Sequence, residues 1–203
     1  MDDEAVRALA RRGVVLTEDA RAAGLDDRAL RTARAAALMT RIRPGAYVDA
    51  QVWAAMSDEA RYRQTVMAAA RTLTAPVFSH YSAAALWGLP LVGRWPESVH
   101  VVARGASGGR SWRGVVVHGT DLDPPTDVRD GFTVTDPATT VLGVARVAPF
   151  ATGLAMADHA LRAELTTSDA LAAGAETLGS RRGAARARRV VAAADARAES
   201  VGE

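Results

Sequence analysis

The sequence predicts an α+β protein with a small helical head and a larger mixed body, and three patterns predict it. Residues 13–47, GVVLTEDARAAGLDDRALRTARAAALMTRIRPGAY, run through two helix signatures into a Pro-Gly turn. Strand-like runs at 98–103, 114–118 and 132–135 gather in the middle of the chain. Helix-like periodicity fills the chain beyond residue 136. With 203 residues and 49% hydrophobic content, the chain can bury a core in each part. The expected division is 1–50 for the head and 51–203 for the body.

The head opens with a helix from about Glu4 to Arg12 that turns Val6, Leu9 and Ala10 inward and stops at Gly13. Thr17 is the expected N-cap of the next, with Glu18 and Asp19 where negative charge meets the positive helix end. Gly24 closes that short helix, Leu25 plugs the core, and Asp26 caps the following one. From Asp27 to about Met39, Ala29, Leu30, Ala33 and Ala37 form one face, while Arg28, Arg31 and Arg34 step down the other. Arg41, Ile42 and Arg43 alternate as a strand does, and Pro44-Gly45 fits the centre of a type II turn into a second strand. This is the pattern of a winged helix-turn-helix. It implies a basic helix offered to a groove of double-stranded DNA, with a basic hairpin beside it. The candidate DNA-binding residues are Arg28, Arg31, Thr32, Arg34, Arg41 and Arg43.

Charge distribution agrees with that reading better than net charge does. The formal charge is only +2, yet Arg28 to Val48 holds five Arg and no acidic residue. All basic side chains are Arg and Ala is abundant, so Arg richness by itself says little about phosphate binding. No Cys is present, which excludes disulfides, thiolate metal sites and a cysteine nucleophile. No apolar run approaches the ~20 residues that span a bilayer and no signal-peptide pattern opens the chain, so a cytoplasmic protein is expected.

In the body, Asp49 to Ser57 reads as a connector anchored by Val52, Trp53 and Met56, and Asp58 to Leu73 as an amphipathic helix broken by Pro76. Ser79 or Ser82 caps a short Ala-rich helix ended by Gly88 and Pro90. The runs 98–103 and 114–118 are expected to form a hairpin, joined by a Gly- and Ser-rich loop at 104–113. Phe132 to Thr135 is a further strand, and Asp136 caps a helix from Pro137 to about Val147. Helices at 151–164, 168–178 and 183–196 complete the chain, the second capped by Thr167 or Ser168.

The order RIRPGAY, FSHYSAAALWGLPL, VHVVARG…GVVVH, DGFTVTDPATTVLGVAR, ALRAELTTSDAL and RRGAARARRV resembles the actinobacterial branch of AbiEi-type antitoxins of type IV toxin–antitoxin systems. The likeness covers nearly the whole chain. Its most specific blocks are Ser79-His80-Tyr81-Ser82-Ala83-Ala84 through Trp87-Gly88-Leu89, and Asp130-Gly131 through Val134-Thr135. The resemblance implies a winged helix that binds promoter DNA and represses its own operon. It also implies a body that counters a nucleotidyltransferase-like toxin, without enzymatic activity or a cofactor.

Two departures stand out. Such relatives carry Pro-x-Arg-Thr followed three residues later by Asp, whereas this chain has Pro137-Ala138-Thr139-Thr140 and then Gly143. Many relatives also continue into a domain similar to very-short-patch repair endonucleases, from a Glu-Ser-x-x-Glu-Ser motif. This chain has Glu199-Ser200-Val201-Gly202-Glu203 and stops. The alternative reading is therefore the DNA-targeting portion of such a nuclease.

Other candidates read as structural. His80 is expected to be a satisfied structural histidine. His100, His118 and His159 have no His, Asp or Glu at metal-ligand spacing, so no metal site is expected. The loop 105–111 lacks the Lys of a phosphate-binding loop and reads as a hairpin tip. Arg181, Arg182, Arg186, Arg188 and Arg189 form a second basic run, for which a solvated helix face is favoured over a second phosphate contact because Ala and Val fill the other face.

Overall fold

The computed structural model describes residues 3–11, 13–105 and 110–198. The chain is a mixed α+β protein that divides into two compact units, 1–74 and 75–203. The division therefore falls some twenty-five residues later than the expected boundary near 50, because the helices at 50–70 group with the head.

The first unit runs α1 (Asp3–Ala10), β1 (Val15–Leu16), α2 (Thr17–Ala22), α3 (Asp27–Ala35), β2 (Met39–Arg43), β3 (Ala46–Asp49), α4 (Ala50–Ala55) and α5 (Asp58–Ala70). Its three strands form an antiparallel sheet in the order β1-β3-β2. Val6, Leu9, Leu25, Leu30, Ala33 and Met39 share one buried cluster, so α1, α3 and the sheet close over the α2–α3 turn. Leu25 N–H donates to Ala20 O at 2.8 Å, closing α2 across Gly24. Asp26 then caps α3 by accepting from Ala29 N–H at 2.7 Å. Gly45, at φ 75°, makes the Pro44-Gly45 turn between β2 and β3.

Three local features differ from expectation. Thr17 is the first helical residue, not the cap. The cap is Leu16, whose N–H is taken by Asp19 Oδ2 at 2.8 Å, while the Thr17 hydroxyl donates to Gly45 O. The helix α3 stops at Ala35, with Ala37 at φ 52° and exposed, so Met39 begins a strand. The connector is a short helix, α4, capped by Asp49 and closed by Arg61, which donates to Trp53 O and Ala54 O. Val52 is 50% exposed there and anchors nothing.

The second unit contains β4 (Val77–Phe78), α6 (His80–Trp87), β5 (Val99–Arg104), β6 (Arg110–Trp112), β7 (Val115–Thr120), β8 (Thr126–Arg129), β9 (Phe132–Thr135), α7 (Pro137–Val147), α8 (Phe150–Arg162), α9 (Ser168–Thr177) and α10 (Ala184–Ala193). Its sheet is mixed, in the order β6-β7-β5-β4-β9-β8. The expected hairpin is not there. β5 and β7 pair in parallel, Val99 opposite Val115 and Val102 opposite His118, and β6 is the antiparallel partner of β7. The loop tip at 106–109 lies outside the described residues.

Behind the sheet, α6 to α10 share a core of Leu89, Val141, Val144, Met156, Leu171 and Val190 with many small residues between them. A Cβ on Gly153 would meet Val190 at 3.0 Å and Ala145 at 3.2 Å, which is why α7, α8 and α10 pack so closely. Asp136 caps α7 by accepting from Thr139 N–H at 2.7 Å, and Thr167 caps α9. Among the described residues no helix is long and apolar enough to cross a membrane.

Candidate functional site

On the first unit, Arg28, Arg31, Thr32 and Arg34 of α3 are exposed, and so is Arg41 of β2. The three α3 arginines make no ion pair or hydrogen bond through their side chains among the described residues, whereas Arg21 pairs with Asp27 at 3.1 Å. Thr32 returns its hydroxyl to Arg28 O at 3.0 Å. Arg43 departs from expectation, being only 8% exposed. The register shifts between Arg41 and Arg43, and this irregularity, together with Arg41 Nε donating to Arg43 O, turns the two side chains to different surroundings. Burial pushes the Arg43 guanidinium below its usual range, partly offset by the field of Tyr62.

On the second unit the structure gathers three histidines that sequence spacing leaves apart. His80 stacks on His118 with ring centroids 3.5 Å apart and planes 11° from parallel. His100 Nδ1 lies 2.9 Å from His118 Nε2, so one nitrogen donates and the other accepts. Hydrogen bonds frame them. Ser82 Oγ accepts from His100 N–H at 2.8 Å, Ser79 N–H donates to His100 O, and Ser79 Oγ sits 3.1 Å from His80 Nδ1.

His80 has a φ of 49°, a left-handed conformation that costs a side-chain-bearing residue about 1 kcal/mol or more and persists only where its surroundings impose it. Burial, then the neighbouring His118, His100 and Arg146, push its pKa well below the ordinary value. Burial and the His118 field lower His100 to about 4, and burial and Arg146 lower His118 to about 4. All three imidazoles are therefore neutral at pH 7 and weak bases. Among the described residues no group of three or more His, Cys, Asp or Glu is arranged to hold a metal ion.

No protein-family model matches this chain, and no curated protein does. Among solved structures, the crystal structure of the RV2827C protein from Mycobacterium tuberculosis is similar, with a TM-score of 0.53 and 21% identity over 92% of this chain and 74% of that one. At that identity the likeness is one of fold alone.

The histidines stand between two clefts of the second unit. A cleft of about 640 Å³ is lined by His80, His118, Arg146, Arg182 and Arg186 with Gly119, Val147 and Gly183. Another, of about 550 Å³, shares His80, His118, Gly119 and Arg146 and continues along Leu122, Pro124, Thr139 and Leu142. Thr139 and Gly143 both line this second cleft. A Cβ at 143 would come within 3.3 Å of three His80 ring atoms. The imidazole thus occupies the space into which a longer residue 143 would reach.

Sequence spacing missed this cluster because the strands holding it pair in parallel across a crossover. With His100 opposite Val116, His118 falls on the same sheet face as His100, a register that only the tertiary pairing sets.

Proposed function

We propose that the first unit is a winged helix-turn-helix that reads duplex DNA, and that the chain is a DNA-binding antitoxin and autorepressor of a type IV toxin–antitoxin operon. In this reading the second unit counters a nucleotidyltransferase-like toxin. The observation that carries the proposal is the unpaired basic face of α3. Among the described residues Arg28, Arg31 and Arg34 have no side-chain partner, on a helix that follows a tight α2–α3 turn and precedes the β2–β3 hairpin. Nine helical residues extend about 13 Å, enough to lie along one major-groove segment with Thr32 toward base edges and the arginines toward phosphates. Arg41 extends the footprint from the hairpin, while Arg43 is buried and leaves the contact set. The order of elements in the first unit and the family resemblance of the whole chain support the reading.

The test is a promoter reporter and growth assay with the adjacent gene co-expressed. Repression is expected to need Arg28, Arg31 and Arg34, whereas rescue of growth is expected to survive their replacement by Ala. Unchanged repression by the triple variant sinks the DNA-reading assignment, and absence of rescue by the wild-type chain sinks the antitoxin assignment.

A further inference from the structure

We infer that the arginine-walled cleft of the second unit is a binding site for a small phosphate ester, with its phosphoryl group on Arg146, Arg182 and Arg186 and its organic part in the adjoining apolar cleft. This site is separate from the proposed DNA contact and does not depend on it.

The cleft is lined by three guanidiniums and two imidazoles and by no carboxylate. Arg146 is the centre of it. The side chain is half-buried, yet its one hydrogen bond among the described residues runs from Nε to Arg182 O at 3.0 Å, leaving both terminal nitrogens to the cleft. Those nitrogens face a cleft whose lining carries two further guanidiniums and no carboxylate, an arrangement that favours an anion. Burial, then the nearby Arg181, lower the Arg146 pKa.

The backbone is shaped to build this wall. Gly183 has φ 82°, and a Cβ there would lie 2.9 Å from the Arg146 carbonyl carbon and nearer still to its oxygen. Only glycine lets the start of α10 approach so closely, and that approach brings Arg182 and Arg186 beside Arg146. Arg186 is itself steadied by donating Nη1 to Ala148 O at 3.0 Å.

Phosphate suits the site better than a carboxylate does. Its monoester dianion carries more charge and offers three terminal oxygens to three forked donors. His80 and His118 connect this cleft to the second one, where Leu122, Pro124 and Leu142 give an apolar stretch of a wall that also carries Asp121, Asp123, Asp136 and Arg181. Both volumes fall in the range of small-molecule sites. The strained backbone of His80 at the junction is the kind of outlier that marks a ligand site.

The test is a titration of the full chain followed by the imidazole resonances of His80 and His118, using inorganic phosphate, adenosine 5′-monophosphate and acetate as probes. Phosphate is expected to shift both rings saturably, and the nucleotide to do so about tenfold more tightly because it also fills the apolar cleft. Acetate at equal ionic strength is expected to leave them in place. Arg182→Gln and Arg186→Gln are expected to weaken phosphate binding by about tenfold each, the first with an unchanged thermal transition and the second with a small loss from its bond to Ala148 O.

The site assignment is overturned if no probe gives a saturable shift at tens of millimolar, if acetate matches phosphate, or if both variants bind as the parent does. Equal affinity for phosphate and nucleotide overturns the role of the apolar cleft. Displacement of phosphate by a short DNA duplex in the Arg28/Arg31/Arg34→Ala background gives the cleft to nucleic acid and overturns the small-ligand assignment.

Discussion

The two units use arginine in opposite ways. On the first unit Arg28, Arg31 and Arg34 stand on a convex helix face, one turn apart and open to water. On the second, Arg146, Arg182 and Arg186 line a concave cleft against neutral histidines. A convex row matches an extended polyanion whose phosphates repeat along a groove, and its energetics are set by counterion release. A concave cluster matches one compact anion, and its energetics are set by desolvation and geometry. The residue type is the same. Curvature and burial decide what it can hold.

The largest expected way to break the contrast is acid. The three histidines have folded pKa values below that of a free imidazole, His100 and His118 at about 4. The unfolded chain therefore takes up protons first, at about 6.5, and the second unit loses stability as pH falls from 6.5 toward 4, where the contributions of His100 and His118 are spent. Each histidine contributes a slope of up to about 1.4 kcal/mol per pH unit. Urea melts monitored on the second unit at pH 7 and pH 4.5 check this, and His118→Gln is expected to flatten the slope. Equal midpoints at the two pH values contradict it.

Next in size, Gly183→Ala is expected to cost at least about 2 kcal/mol, because the new Cβ meets the Arg146 backbone in a left-handed conformation. A thermal melt reads it. Loss confined to phosphate binding, without loss of stability, would show that the close approach has another cause.

Cap removal is smaller and compares the units directly. Asp26→Ala and Asp136→Ala each remove a 2.7 Å cap bond, for about 1 kcal/mol. Asp136 is the less exposed of the two and is expected to cost more. The smallest effect separates the hairpin arginines. Arg41→Gln is expected to lower the salt slope of DNA binding by about one phosphate contact while leaving stability alone. Arg43→Gln is expected to do the reverse, since its side chain is buried.

Legibility in the sequence tracks the reach of each signal. The α7 helix, from its Asp136 cap and Pro137 start to Val147, and the strand Phe132–Thr135 carry local signatures and appear where they are expected. Gly24, Leu25 and Asp26 likewise fix the α2–α3 turn through bonds between near neighbours. The strands Val15–Leu16 and Val77–Phe78 are two residues long, too short for any periodicity, and exist because longer strands pair with them. The parallel pairing of β5 with β7 is a tertiary choice that alternation cannot signal. Of the DNA-binding candidates, Arg28, Arg31, Thr32, Arg34 and Arg41 are exposed as their spacing suggested, but the register shift before Arg43 turns it inward. The histidine cluster needs that same parallel pairing to come together, and the Ala and Val on the other face of 181–189 suggest a solvated arginine face while giving no sign of Arg146, 36 residues from Arg182.

The central claim is that α3 holds DNA, and fluorescence anisotropy of a labelled promoter duplex over a salt series tests it most directly. The parent chain and Arg182→Gln are expected to bind alike, with a steep loss of affinity as salt rises. Arg28/Arg31/Arg34→Ala is expected to lose at least about a hundredfold in affinity and to show a slope shallower by about three phosphate contacts. Equal affinity and slope in the triple variant and the parent would contradict the account.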